Sequence, residues 1–246
     1  MTGLLQGRVA IVTGAASGIG RAIATAMVEQ GARVVAVDMD GGSLEALAAQ
    51  LALADRIVAD LADDAQVAAI AARVMERFGR VDVLVNNAGI GGPRTLRIHE
   101  LPLDDFDRVM AVNLRAPLAM TQAVLPTMRA QGGGAIVNLA SPAGFHAVQN
   151  LASYSISKAG MVMLTKCTAK EYAAEGIRCN AIAPGVTQTP ILDALPQPHL
   201  DAICAAIPQQ RVARPEEIAA MAVFLASDQA SYVNGSIHFV DGAAGA

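Results

Sequence analysis

The sequence predicts an α/β fold, a single-domain, doubly wound parallel sheet of about seven strands with helices on both faces. Short β-branched runs alternate along the chain with longer, alanine-rich stretches of helical apolar spacing. The strand runs are apolar throughout, which is typical of a sheet that is covered on both faces. No Pro/Ser-rich or charged linker interrupts the 246 residues, so we expect residues 1–246 to form one domain.

The predicted elements alternate between strand and helix from one end of the chain to the other. The β-branched runs predict strands at residues 8–13, 33–37, 56–58, 81–86, 135–139, 178–182 and 237–240. Apolar residues three and four apart predict helices at residues 19–30, 43–53, 64–78, 104–130, 152–175 and 216–226. Because crossovers between parallel strands are right-handed, this alternation gives a doubly wound sheet. Such sheets bind ligands at the carboxyl ends of their strands.

Composition argues against several classes of function. The net charge is −4, and there is no Lys/Arg cluster, so we expect no nucleic-acid partner. Residues 130–157 carry no Asp, Glu, Lys or Arg, but three consecutive glycines and several polar residues indicate strand and loop rather than a membrane span. The three cysteines lack metal-ligand spacing, so no metal is expected. The first residues lack a signal-peptide pattern, so we expect a cytoplasmic protein.

A glycine-rich segment follows the first predicted strand. Residues 13–20 have the spacing G-x-x-x-G-x-G, which permits a tight turn and lets backbone N–H groups approach a pyrophosphate at the next helix. The alternative is an ordinary connection between strand and helix. Asp38 ends the second predicted strand, where a carboxylate accepts hydrogen bonds from the ribose hydroxyls of a bound dinucleotide. In isolation, Asp38 would be a solvated loop carboxylate.

Tyr154 and Lys158 are four residues apart in a predicted helix, so the phenol and the ammonium share one face. A cation ~4–5 Å from the phenol, at an effective dielectric constant of about 20, favours phenolate by about 3–4 kcal/mol. This lowers a phenol pKa of about 10 towards 7, so the pair is typical of an acid/base device. Taken alone, such a pair is more often part of an ordinary surface helix.

Several motifs follow one another in a characteristic order. The glycine segment precedes Asn-Asn-Ala-Gly at residues 86–89, then Asn113, Ser141 and the Tyr154/Lys158 pair. Together they resemble the short-chain dehydrogenase/reductase family over nearly the whole chain. The resemblance implies a Rossmann-type fold and hydride transfer to or from a nicotinamide dinucleotide.

The resemblance also implies roles for individual residues. Tyr154 would be the general acid in reduction and the general base in oxidation, while Ser141 would donate a hydrogen bond to the developing oxyanion. Lys158 would also bind the nicotinamide ribose, and Asn113 would hold a water that connects Lys158 to solvent. Besides Tyr154 and Lys158, the expected cofactor contacts are Gly14, Ser17, Gly18, Ile19, Gly20, Asp38, Asp60, Leu61, Asn87, Ala88, Gly89, Pro184, Gly185, Val186, Thr187 and Thr189.

Charge around Asp38 favours NAD over NADP. Asp38 would face the 2′-phosphate of NADP, whereas Ser17 and Met39 are neutral at positions where the family often has Arg or Lys. The side chains available to a 2′-phosphate are therefore negative or neutral. NAD is the expected cofactor and NADP the less favoured one.

The substrate is expected to be a neutral, largely apolar ketone or secondary alcohol. The segment 186–210, which covers the substrate in this family, contains no Lys or Arg to hold a carboxylate. Its apolar side chains either line the pocket or pack the segment onto the body of the protein. The expected substrate contacts are Ser141, Phe145, His146, Gln149, Tyr154, Leu192 and Leu195.

Two other functions remain open. The motifs also resemble those of 3-oxoacyl-[acyl-carrier-protein] reductases, whose partner is an acidic carrier protein. Asp38 weighs against this, as does Glu175 where such reductases commonly have Arg, although Arg129 would suit a docking patch. The other alternative is a catalytically silent dinucleotide-binding protein. The apolar surface of helices 104–130 and 152–175, taken with the family resemblance, predicts a homotetramer.

Overall fold

The computed structural model describes residues 3–93, 96–193 and 195–245. Its strands are β1 (Val9–Thr13), β2 (Arg33–Asp38), β3 (Asp55–Val58), β4 (Val83–Asn86), β5 (Gly134–Leu139), β6 (Ile177–Pro184) and β7 (Ile237–Val240). They form one seven-stranded sheet in the order β3-β2-β1-β4-β5-β6-β7, and every neighbouring pair is parallel. The predicted doubly wound α/β sheet is confirmed.

Helices cover both faces of this sheet. They are α1 (Gly18–Glu29), α2 (Gly41–Ala48), α3 (Asp64–Phe78), α4 (Leu103–Met110), α5 (Ala116–Ala130), α6 (Ala152–Tyr172), α7 (Pro190–Asp193), α8 (Gln197–Ala206) and α9 (Pro215–Ala226). Buried side chains of α1, α2 and α9 form one hydrophobic cluster, and those of α3 and α5 form a second on the opposite face. Side chains of β1 alternate between the two clusters, which explains why the strand is apolar throughout.

The predicted helix 104–130 is interrupted. Between α4 and α5 lies a π-helical turn, Ala111–Arg115, which sequence periodicity did not predict. Pro117 follows this turn and has no N–H to donate to a carbonyl of the preceding turn. An irregular turn before Pro117 therefore loses fewer hydrogen bonds than it would before another residue. The turn contains Asn113 and directs its side chain into the protein interior.

Other helix boundaries also differ from the predicted ones. The helix predicted at 43–53 starts earlier, because the Asp40 carboxylate accepts a hydrogen bond from Ser43 N at 3.0 Å, and it ends at Ala48. Leu51 and Leu53 nevertheless pack against the first cluster from the following loop, which is why the apolar spacing continued past the helix. The helix predicted at 152–175 ends at Tyr172 and continues as a 3-10 turn. Within the described ranges, no helix has both the length and the apolar character needed to cross a bilayer.

Candidate active site

The glycine loop that joins β1 to α1 is fastened to the end of β4. Gly14 has a φ of 64°, and a Cβ on Gly20 would clash with the carbonyl oxygen of Gly14. Asn87 Nδ2 donates to Thr13 O at 2.9 Å and to Gly14 O at 3.1 Å. The Thr13 hydroxyl accepts from Asn87 N at 3.0 Å and from Ala88 N at 3.2 Å. These bonds hold the carboxyl ends of two neighbouring strands in one rigid cradle.

A cavity of about 360 Å³ lies over this cradle, at the carboxyl ends of the strands. Most of the predicted cofactor residues line it, namely Gly14, Ser17, Gly18, Ile19, Gly20, Asp38, Asp60, Leu61, Asn87, Ala88, Gly89 and Thr189. Its lining also includes residues that were not predicted as contacts, namely Met39, Ala59, Ile90, Arg108, Val112 and Pro190. The structure therefore brings residues that are far apart in the sequence together in one groove.

Asp38 is held at the edge of this cavity by two backbone N–H groups. Its carboxylate accepts hydrogen bonds from Ala16 N at 3.0 Å and from Asp40 N at 3.1 Å. Each oxygen keeps further acceptor capacity, because an ionised carboxylate has about four lone-pair sites. Ser17 and Met39 are exposed beside it. The geometry suits the recognition of two adjacent hydroxyl groups.

Asp60 and Leu61 line the cavity just beyond the end of β3. Asp60 Oδ1 accepts from Ala62 N at 2.9 Å, and Asp60 N donates to Gln66 Oε1 at 2.9 Å. These bonds fix the carboxylate in a tight turn beside the buried Leu61 side chain. An apolar surface with one fixed acceptor suits a flat heterocycle that carries an amino group.

Lys158 is buried next to Tyr154. Only 4% of Lys158 is exposed, and its ammonium lies 5.6 Å from the centroid of the Tyr154 ring. Nζ donates to Leu139 O, at the end of β5, at 2.7 Å. Burial lowers the pKa of Lys158 to about 8, because a charged ammonium loses its hydration in the interior. A Cβ on Gly89 would lie 3.6 Å from Nζ, so the ammonium adjoins the cavity wall.

The fully buried Asn113 connects the chain after β4 to α6. Its Oδ1 accepts from Ile90 N at 2.8 Å, and its Nδ2 donates to Ile90 O at 2.9 Å and to Ser157 Oγ at 3.1 Å. Ser157 Oγ in turn donates to Tyr154 O at 2.7 Å. The Asn113 side chain thus fixes the positions of the cavity wall and of the helix that carries Tyr154.

Ser141 caps a 3-10 turn, Pro142–Gly144, that packs on α6. Its Oγ accepts from Ala143 N at 3.2 Å, a bond that leaves the hydroxyl proton free to be donated. A Cβ on Gly144 would lie 2.8 Å from both the carbonyl carbon and the oxygen of Lys158. Only a residue without a side chain lets this turn reach the helix at the position of Lys158.

Some predicted cofactor residues lie outside the lining of the cavity of about 360 Å³ over the glycine loop, which is the main cavity of the candidate site. Pro184 ends β6, and Gly185 N donates to Val240 O at 2.9 Å. Val186 lines a second cavity, of about 350 Å³. Thr187 is buried, and its hydroxyl donates to Gly185 O at 3.0 Å. Hydrogen bonds within this segment and to β7 hold its backbone in place.

The predicted substrate residues do not form one compact group. The Phe145 ring packs against Phe239, which was not predicted, with centroids 5.0 Å apart and both residues 42% exposed. His146 is exposed, and Gln149 lines a separate cavity of about 430 Å³ together with residues 96–99.

The two leucines of the covering segment differ in exposure. Leu192 is buried, whereas Leu195 is 37% exposed. Part of the apolar segment therefore packs onto the body of the protein. Leu195 is the one of the two that is open to a substrate.

Sequence reasoning missed several residues at the site. The bracing role of the Thr13 hydroxyl was not predicted, although Thr13 opens the glycine segment, and Ile90 was recognisable only as the residue after Asn-Asn-Ala-Gly. Arg108 occurs in an acidic helix and Phe239 in the last strand, and nothing in the local sequence pointed to the site. Among the described residues, no group of three or more His, Cys, Asp or Glu side chains could hold a metal ion.

Comparison with known proteins adds an independent result. A family model described as enoyl-(acyl carrier protein) reductase matches residues 14–244. The chain is 46% identical over 244 residues to 2-(R)-hydroxypropyl-CoM dehydrogenase of Xanthobacter autotrophicus, covering 96% of this chain and 98% of the relative. It is 39% identical over 242 residues to a 3-oxoacyl-[acyl-carrier-protein] reductase of Thermotoga maritima, covering 97% and 98%.

Solved structures give the same picture of the fold. Levodione reductase superposes with a TM-score of 0.92 at 38% identity, over 97% of both chains. A putative NAD(P)-dependent gluconate 5-dehydrogenase of Beutenbergia cavernae, with NADP bound at low occupancy, superposes with a TM-score of 0.90 at 41% identity, over 97% of this chain and 96% of the other.

Proposed function

Since the chain belongs to the short-chain dehydrogenase/reductase family, we propose that it is an NAD(H)-dependent oxidoreductase that interconverts a neutral, largely apolar secondary alcohol and its ketone. The observation that carries the proposal is the buried Lys158, whose ammonium adjoins the Tyr154 ring on one side and the cavity wall on the other. Family membership supports the oxidoreductase class. The cofactor and the substrate are argued from the side chains.

The proton chemistry belongs to residues of this chain. A nicotinamide dinucleotide, when bound, supplies or accepts the hydride. In the reducing direction Tyr154 gives its phenolic proton to the carbonyl oxygen, and in the oxidising direction its phenolate takes the proton back. Ser141 donates a hydrogen bond from its hydroxyl to the same oxygen, without transferring the proton, and stabilises the charge that develops there. Tyr154 and Ser141 together orient the substrate oxygen.

Lys158 keeps the phenol acidic enough for this exchange. With a pKa of about 8 it is mainly protonated at neutral pH, and its charge acts in a low-dielectric interior where it favours phenolate. An ammonium has three donors, and one of them is bonded to Leu139 O. We assign the others to the nicotinamide ribose. The expected water beside Asn113 remains a prediction.

The choice of NAD rests on Asp38. Its carboxylate is fixed at the cavity edge by Ala16 N and Asp40 N, so it cannot swing away from a 2′-phosphate without losing both bonds. The Beutenbergia cavernae structure holds NADP, so the fold itself does not decide the cofactor. We base the choice of NAD on the negative charge of Asp38.

The alternative activity, 3-oxoacyl-[acyl-carrier-protein] reduction, is supported by the Thermotoga maritima relative. One observation weighs against it. The Arg129 guanidinium forms an ion pair with Glu175, so it is already neutralised rather than offered to an acidic carrier protein. The substrate assay below includes this activity as one of its outcomes.

Turnover of NADH with a panel of ketones tests the proposal. The panel contains a cyclic diketone, an aryl alkyl ketone, a keto acid and an acetoacetyl thioester, each assayed with NADH and with NADPH. We expect the highest kcat/KM with NADH and one of the two neutral ketones. Highest efficiency with NADPH and the thioester would establish the alternative. Binding of the cofactor without turnover of any compound in the panel would favour the catalytically silent protein.

We also propose a homotetramer. Leu118 on α5 and both Ile156 and Met163 on α6 are between 40% and 56% exposed, although these helices already cover the sheet. Sedimentation at micromolar concentration should show a species of four chains, and a species near 25.3 kDa alone would contradict it. The expected cytoplasmic location remains a prediction that cell fractionation tests.

A further inference from the structure

The Arg108 guanidinium makes no ion pair or hydrogen bond with other described residues. Of the arginines that the structure describes, only Arg97 and Arg108 lack an ion pair, a side-chain hydrogen bond and an aromatic contact. Asp104 and Asp105, one turn earlier on α4, are at positions that commonly pair with an arginine. Arg108 pairs with neither of them and lines the main cavity instead.

Arg108 shares the cavity lining with a group of apolar residues. We call this apolar part of the lining the slot; it consists of Ala59, Leu61, Ala88, Ile90 and Val112. Val112 follows Arg108 by four residues, so the two are on nearly the same side of the helical segment, about 6 Å apart along its axis. Arg108 is exposed and Val112 is buried. The guanidinium therefore stands at the open mouth of the slot.

Apart from Arg108, the charged residues that line this cavity are negative. Asp38 and Asp60 line it, and Arg108 is the one cationic side chain among the described lining residues. The diphosphate of a dinucleotide is expected at the glycine loop and the start of α1, where backbone N–H groups converge. The slot between Asp60 and Val112 is left for the adenine ring.

On the basis of the proposed function, we propose that Arg108 stacks its guanidinium on the adenine ring and closes the slot over it. A guanidinium is planar and weakly hydrated, so it stacks on an aromatic face more readily than an ammonium does. An arginine without an intramolecular partner gives up no bond in the free protein when it does so. Arg108 is thus a binding residue for the adenosine half of the cofactor and takes no part in the hydride step.

Calorimetric titration of the full chain with ADP-ribose tests this directly, because ADP-ribose carries the adenine and the diphosphate but no nicotinamide. Arg108→Ala should weaken ADP-ribose binding about three- to tenfold, the range of a stacked cation at a half-exposed site. Arg108→Lys should recover little of the loss, because it restores the charge and not the plane. Arg97→Ala is the matched control, an equally unpaired arginine outside the main cavity, and should leave binding unchanged.

Two further measurements separate stacking from other roles. The loss in Arg108→Ala should be the same at about 0.05 M and 0.5 M salt, whereas a contact with a phosphate would be screened. The melting temperature of Arg108→Ala should equal that of the wild type, because the side chain has no partner in the described structure.

Full rescue by lysine, a loss that disappears at high salt, or unchanged affinity in Arg108→Ala would each overturn the stacking proposal. Each of these leaves the proposed function standing as long as the wild type binds ADP-ribose. If the wild type bound neither ADP-ribose nor NADH, the stacking proposal and the proposed function would both be overturned.

Discussion

Replacing Asp38 by alanine together with Met39 by arginine should shift the cofactor preference from NAD towards NADP. Asp38 ends β2 and is held at the cavity edge by hydrogen bonds of 3.0 Å from Ala16 N and 3.1 Å from Asp40 N. Met39 is 62% exposed beside it, so an arginine there reaches the same place without displacing core side chains. One change removes a like charge and the other adds a phosphate partner.

The expected magnitude follows from this geometry. A 2′-phosphate oxygen ~4–5 Å from the Asp38 carboxylate, at an effective dielectric constant of about 20, meets a repulsion of about 3–4 kcal/mol. The site is open to solvent and to salt, which reduces the repulsion to roughly 1.5–3 kcal/mol. That range corresponds to a preference for NAD over NADP of about ten- to hundredfold in kcat/KM.

The assay is the ratio of kcat/KM for NADH and NADPH with one ketone, measured for each variant. Asp38→Asn removes the charge and keeps the volume of the side chain, although its single amide oxygen accepts only one of the two backbone N–H groups that Asp38 binds. Asp40→Asn is the matched control, since asparagine still caps α2 while removing a neighbouring charge. We expect Asp38→Asn to lose most of the preference and Asp40→Asn to keep it. Equal efficiency of the wild type with both cofactors, or an unchanged ratio in the double variant, would refute the role of Asp38.

Three further predictions concern the catalytic cluster. Tyr154→Phe should lower kcat at least a hundredfold with NADH binding retained, because general acid–base catalysis contributes about 10²–10⁴-fold; more than about a tenth of the activity would contradict the role. The pKa of Lys158 is about 8 in the folded protein and is expected to be near the ordinary 10.5 in the unfolded chain. Between pH 8 and pH 10.5, the Lys158 amine is therefore protonated in the unfolded chain and largely neutral in the folded protein. The urea-unfolding free energy of the wild type should therefore rise relative to Lys158→Met by up to about 3 kcal/mol over that window, and a constant difference would show that the burial has no effect. Gly144→Ala should destabilise the protein by about 1–3 kcal/mol, because its Cβ meets the Lys158 backbone, and a melting temperature equal to that of the wild type would contradict this.

The strands and the glycine loop were predictable because their signals are local. A strand buried on both faces must be apolar throughout, so the run at β1 was correctly placed to within one residue. The turn after it needs a glycine at a positive φ, and Gly14 provides it. Such features follow from backbone geometry alone.

The π-helical turn and the burial of Lys158 could not be predicted in this way. Apolar spacing does not distinguish one wide turn from the α-helix around it, so the interruption at Ala111–Arg115 was missed. The pKa of Lys158 is lowered because the side chain is buried. At Lys158, α6 is covered by the turn that contains Gly144, so this environment depends on a contact between segments that are apart in the sequence. Arg108 is at the cavity because of tertiary packing, whereas its own sequence neighbours are acidic. Each of these depends on where other parts of the chain lie.

Transfer of deuterium from labelled cofactor tests the central claim most directly. The wild-type protein is incubated with NADH that carries deuterium at the transferred position of the nicotinamide, together with a neutral ketone that it turns over, and the alcohol is analysed by mass spectrometry. Hydride transfer predicts one deuterium in the alcohol, bound to the carbinol carbon, and at least a hundredfold less of this alcohol from Tyr154→Phe over the same time. An alcohol formed without deuterium at that carbon, or no alcohol from any ketone of the panel while NADH is bound, would contradict the assignment of this chain as a nicotinamide-dependent alcohol dehydrogenase.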